Sequence, residues 1–149
     1  VLIPTYNNAG TLAQVISDVK EYASDVIVVN DGSTDNTAAI LTAIEDIRII
    51  SYAANRGKGY ALKWGQTKAY ARGHRAAITI DSAGQHYADD IAVFVERIEQ
   101  SPDRLLIGAR NLTADNMPSK NTFANKFSNF WFKIETGQSL SDTQSGYRL

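Results

Sequence analysis

The sequence predicts an α/β domain with a mostly parallel central sheet flanked by helices, and three observations predict it. Short apolar runs rich in β-branched residues recur along the chain, segments of helical period separate them, and a polar cluster follows each run. The runs are Val1–Ile3, Val26–Val29, Ile47–Tyr52, Ala76–Ile80 and Leu105–Ala109. Their continuous apolar character is that of strands covered by helices on both faces. Between them Leu12, Val15, Ile16 and Val19 mark one helix face. Ala61, Trp64, Thr67 and Lys68 mark a second less cleanly, and Ile91, Phe94, Val95 and Ile98 mark a third.

Composition bounds the rest. The 149 residues are 44% hydrophobic and 21% charged, which suffices for one domain with a real core. Fifteen Lys and Arg against sixteen Asp and Glu leave a net charge of -1, so no global field draws the chain to nucleic acid. With no Cys there is no disulfide, thiolate metal site or cysteine nucleophile, which suits a reducing compartment. No apolar run approaches the roughly 18 residues that span a bilayer. Neither repeats nor low-complexity tracts divide the chain, so residues 1–149 read as a single domain. Val1-Leu2-Ile3 has the character of a strand interior and Gly146–Leu149 lacks any tail character, so the sequence reads as the front portion of a longer protein.

In open α/β sheets ligands bind beyond the carboxyl ends of the strands. Each polar cluster falls there. A dinucleotide fingerprint is absent after the first strand, and Gly57-Lys58-Gly59 lacks the upstream Gly and following Ser or Thr of a P-loop. In Asn30–Asp35, Gly32 permits a turn and Ser33, Thr34 or Asp35 caps the next helix. Asp31, before the cap, is placed to accept hydrogen bonds from a nucleobase imide or ribose hydroxyl. Arg56-Gly57-Lys58-Gly59 sets two cations at a helix start, either a solvated basic loop or a diphosphate site. An extended chain after the fourth strand would bring Asp81 and position 83 to one side. Asp81 and Gln85 offer oxygen ligands of the kind that Mg²⁺ and Mn²⁺ take, while Ala83 offers none. His86 reads as solvated or structural. Asp89 and Asp90 read as the charged start of the following helix. Phe123, Phe127, Phe130, Trp131 and Ile134 form a stripe read first as a core-facing helix, with a membrane-interface surface as the alternative. Asp142–Arg148 reads by itself as a polar loop.

Taken together, Ile3–Asn8, Asn30–Asp35, Asn55–Gly59, Asp81–His86, Gly108–Arg110 and Asp142–Arg148 resemble the family 2 inverting glycosyltransferases, in order and over the whole chain. The nearest branch resembles the dolichyl-phosphate and polyprenyl-phosphate glycosyltransferases. The resemblance implies a GT-A fold, a UDP- or GDP-linked sugar donor and Mg²⁺ or Mn²⁺. It implies that Pro4, Tyr6 and Asp31 hold base and ribose, that Lys58 lies near the nucleotide, and that Asp81 and Gln85 sit at the metal and diphosphate. Arg110 and Arg148 fall at acceptor-phosphate positions, and Asp142 is the candidate general base. A polyprenyl phosphate or a glycan hydroxyl of the cell envelope would be the acceptor, at the cytoplasmic face of a membrane. The family's Asp-x-Asp pattern departs here to Asp81-Ser82-Ala83, and Asn8 stands where many relatives carry Glu. Ala83 keeps two rivals open, an attenuated enzyme and a non-catalytic nucleotide-sugar-binding module. Alternating βα composition alone also allows a flavodoxin-like signalling domain.

Overall fold

A computed structural model describes residues 1–102, 104–109, 128–130, 132–134, 136–139 and 145–149. Three parallel strands, β1 (Leu2–Thr5), β2 (Ile27–Asp31) and β3 (Arg48–Tyr52), pair in the order β1-β2-β3. In register, Ile3 lies beside Val28 and Val28 beside Ile49. The helices α1 (Ala9–Lys20), α2 (Thr37–Thr42) and α3 (Lys58–Ala71) make the crossovers, and α4 (Asp90–Gln100) follows residues 78–80.

Alternation along the strands splits the core in two. Ile3 and Val28 face a cluster with Leu12, Val15, Ile16 and Val19 of α1, Leu41 of α2, Ile91 and Phe94 of α4, and Tyr147. Leu2, Ile27 and Val29 face the opposite side, where they meet Ala61 and Ala69 of α3. The α1 face is the one its periodicity predicts. On α3 the buried face is instead Ala61, Gly65 and Ala69, and Trp64 is exposed. Small residues on that face let α3 approach closely: a Cβ on Gly65 would overlap the side chain of Leu2.

The sheet continues past β1 through shorter contacts. Thr79 bridges Leu2 in parallel, Arg148 bridges Thr79 antiparallel, and Ile107 bridges Arg148 antiparallel. The fourth and fifth predicted strands thus contribute one bridging residue each, and Arg148 lies between them. The third differs too. β3 pairs with β2 alone among the described residues, and both Arg48 and Ile49 are exposed, so it is an edge and not a strand covered on both faces. The aromatic stripe is likewise corrected at its described positions: Phe130 and Ile134 are 59% and 57% exposed, which a core-facing helix would not allow. Phe123, Phe127 and Trp131 lie outside the described residues.

Candidate nucleotide-binding cleft

At the carboxyl ends of the strands the loops are held by one another. Asn7, at φ 51°, donates its backbone N–H to Ser33 Oγ (3.0 Å) and accepts from the Thr34 N–H at its side-chain oxygen (2.8 Å). Asp35 accepts from the Thr37 N–H with one oxygen and the Ala9 N–H with the other, both at 3.0 Å. One carboxylate therefore serves the first turns of two helices, α1 and α2, whose own cap residues make no side-chain cap bond. Hydrogen bonding from Thr37 and then from Ala9 holds the Asp35 carboxyl below the usual carboxylate range. Asn8 Nδ2 donates to Ser82 Oγ (2.8 Å) and Thr11 Oγ1 donates to the Ser82 carbonyl (2.7 Å), tying α1 to the turn after residue 80. The amide donor of Asn8 makes that contact; a carboxylate there has no N–H to give.

Asp31 is 3% exposed and is not left without partners. Its oxygens accept from the Arg56 N–H (2.8 Å) and Asn55 Nδ2 (3.1 Å), so the loop before α3 folds over it. Burial first, and then the adjacent Asp31 carboxylate through hydrogen bonding and charge, raises the pKa of the Tyr52 hydroxyl. Gly32, at φ +66°, lies so close to this loop that a Cβ would overlap the Ala54 carbonyl carbon. The two cations expected together separate. Arg56 lies over the Tyr60 ring, 4.9 Å from its centroid, and donates to the Tyr60 hydroxyl (2.9 Å). Lys58 turns to Asp81, with Nζ 2.6 Å from Oδ1.

These loops enclose a cleft of about 300 Å³. Pro4, Tyr6, Asp31, Lys58 and Asp81, the five residues expected at the donor, all line it. So do Thr5, Asn8, Asn55 and Ser82, which sequence reasoning did not assign to a ligand; Asn8 and Asn55 carry the signal of an Asn in the loop after a strand. Gln85 lies elsewhere. The chain turns at residues 82–84 instead of running on extended, and Gln85 and His86 line a neighbouring cavity that meets the cleft at Ala83. The His86 side chain is 6% exposed and its ring packs 5.2 Å from that of Tyr147. Arg148 runs through the sheet and donates Nε–H to the Ser145 carbonyl (2.8 Å), outside the cleft lining. Arg110 and Asp142 lie outside the described residues.

The side chains around Asp81 are a poor fit to a divalent ion. Ala83 has no donor atom, Gln85 opens on the other cavity, and Asp81 Oδ1 is engaged by an ammonium. Among the described residues no three His, Cys, Asp or Glu side chains come together as a metal-holding set. Nor, among them, is any helix long and apolar enough to cross a membrane.

A parallel α/β layer with its polar cleft beyond the strand ends, lined by two buried or half-buried carboxylates and one lysine, is a ligand-binding α/β domain, and the family match makes it GT-A-like. The chain belongs to glycosyl transferase family 2, whose model matches residues 1–145. It is 30% identical to the UDP-N-acetylglucosamine–dolichyl-phosphate N-acetylglucosaminyltransferase of Methanococcus voltae, over 99% of this chain and 67% of that protein. It is 30% identical to the glycosyltransferase AglJ of Haloferax volcanii, over 99% and 48%, and 25% identical to the dolichyl-phosphate beta-glucosyltransferase of Dictyostelium discoideum, over 100% and 52%. The chain thus spans about half to two thirds of the length of these curated relatives.

Proposed function

We propose that this domain binds the nucleotide-diphosphate sugar of a glycosyltransferase that moves the sugar to a polyprenyl phosphate, with inversion at the anomeric carbon. The observation that carries the reading is the convergence of Pro4, Tyr6, Asp31, Lys58 and Asp81 on one cleft, from four separate segments of the chain. Asp31 supplies acceptors for base or ribose, and Lys58 supplies an ammonium for the diphosphate as it departs. Relatives named for dolichyl phosphate support a lipid-phosphate acceptor. Such an acceptor is already ionised near neutral pH and needs no base; Asp142 would deprotonate a glycan hydroxyl, the other acceptor class. Arg110 and Arg148 are the proposed acceptor-phosphate contacts.

The test is transfer from labelled UDP-N-acetylglucosamine, UDP-glucose and GDP-mannose to dolichyl phosphate, read as label entering the organic phase. Preference for one donor is the expected result. A folded protein that neither transfers label nor binds UDP or GDP refutes the reading. Ala83 favours a second reading, a module that binds nucleotide sugar without turnover, and binding without label transfer would select it.

A further inference from the structure

Resting on the reading of the cleft as a nucleotide-sugar site, we propose that Lys58, anchored by Asp81, takes the place of the divalent cation, so that nucleoside diphosphate binds here without metal. The argument starts at Asp81, the one carboxylate that follows residues 78–80 into the cleft. A hard divalent ion takes several oxygen ligands and, for Mg²⁺, a near-octahedral shell with its waters. Asp81 has neither the free oxygens nor the room. Oδ1 is 2.6 Å from Lys58 Nζ, and Oδ2 faces the buried His86 ring, 4.0 Å from Nε2. Both oxygens lie against Gly146, where even a Cβ would overlap them.

That face cannot withdraw easily. Thr79 Oγ1 donates to the Gly146 carbonyl at 2.9 Å, and the neighbouring Tyr147 is 2% exposed in the core. Position 83, the side from which a second carboxylate would share the ion, is an alanine on the rim of the same cleft. An ion entering here would displace Lys58 from the only carboxylate it pairs with among the described residues.

Lys58 is suited to the alternative. It is the first residue of α3, its side chain is half exposed into the cleft, and its ammonium has three donors of which Asp81 takes one. The remaining donors and the positive end of a 14-residue helix converge on the same space. Arg56, the other nearby cation, is committed to Tyr60 and does not line the cleft. The charge that meets a diphosphate among the described residues is therefore that of Lys58.

The experiment is calorimetric titration of the purified protein with UDP and GDP, in EDTA and in Mn²⁺, for the wild type, Lys58→Met and Ala83→Asp, with circular dichroism confirming that each is folded. The wild type is expected to bind its preferred nucleotide in EDTA and to change by less than about three-fold with Mn²⁺, whereas Lys58→Met loses about ten-fold or more in EDTA, the worth of one charge-assisted hydrogen bond. Ala83→Asp is expected to gain a Mn²⁺ response of about ten-fold, since it adds an anionic ligand on the open side. Wild-type binding that requires Mn²⁺, or a Lys58→Met protein that binds in EDTA like the wild type, overturns the proposal while leaving the nucleotide cleft intact. Failure of the folded wild type to bind either nucleotide in any condition refutes the cleft reading itself.

Discussion

Gly146→Ala tests whether the position of Asp81 is set from across the fold. The new Cβ would coincide with the Asp81 carboxylate, contacting its carbon and both oxygens. One side must yield. The Gly146 backbone is fixed by the Thr79 hydroxyl at 2.9 Å, Tyr147 N–H is 3.2 Å from Ser145 Oγ, and the Tyr147 carbonyl accepts from the Gly108 N–H at 2.9 Å. Asp81 is the softer partner, with its side chain 23% exposed and a single close ion pair. Rotating it out of its rotamer well costs about 0.5–1.5 kcal/mol, and its half-exposed pairing with Lys58 is worth roughly 0–1 kcal/mol of stability. Residual crowding adds about 1 kcal/mol or more. The sum is a loss of roughly 2–3 kcal/mol, which urea unfolding resolves. Freed from Asp81, Lys58 no longer holds its place in the cleft, so UDP or GDP affinity should fall by about ten-fold. A variant with wild-type urea midpoint and wild-type nucleotide affinity would refute the claim that Gly146 positions Asp81.

Two further outcomes follow from the loops and from the opposite end of the sheet. Gly32→Ala places a side chain at φ +66° and into the backbone of residues 54–55, so it should lose about 2–5 kcal/mol, read by urea unfolding, and weaken nucleotide binding because that loop carries Asn55 and covers Asp31. At the amino end of the strands Asp25 meets His74 Nε2 (2.8 Å), Arg72 (3.3 Å) and Arg48 (3.3 Å). The hydrogen bond with His74, outweighing the effect of burial, and the charges of Arg72 and Arg48 hold its carboxyl below the usual carboxylate range. A depressed carboxylate pKa stabilises the fold above the unfolded value of about 3.9, and that contribution is lost as pH falls through the folded one. The stability gap between wild type and Asp25→Asn should therefore be full at pH 5 to 7 and close below about pH 4; a gap that persists at pH 2 would contradict this.

Much of this arrangement is legible in the sequence because it rests on local signals. Leu12, Val15, Ile16 and Val19 give α1 by period, and the β-branched runs give β1 and β2. The five residues that the resemblance assigns to the donor all line one cleft, as expected where loops at the carboxyl ends of parallel strands meet. What escapes has no local trace. The buried face of α3 is Ala61, Gly65 and Ala69, whose small side chains carry little hydrophobic signal, while the conspicuous Trp64 stacks edge-on with Tyr60 at the surface. Extended spacing puts Asp81 and position 83 on one side, and both line the cleft, but the turn at residues 82–84 sends Gln85 to another cavity. The contacts of Asn8 with Ser82 and of Gly146 with Asp81 join residues more than sixty positions apart, and nothing in either segment announces the other.

The same long-range bonds decide what the cleft has left to offer a ligand. Asn7, Asn8 and Asp35 use their side-chain atoms to hold loops to one another, so they position the walls rather than bind. Asp31 is different. Its carboxylate accepts from the Arg56 N–H and Asn55 Nδ2, with the Tyr52 hydroxyl beside it. The acceptor capacity that remains is on a group that is buried and fixed, which suits the imide and ribose donors of the proposed nucleoside. Lys58 lines the same cleft as a donor, with one of its three hydrogens given to Asp81. A buried acceptor and a half-exposed donor on one cleft of about 300 Å³ suit the polarity of the proposed nucleoside diphosphate. Because the loops are already bonded to each other, little ordering remains to oppose binding.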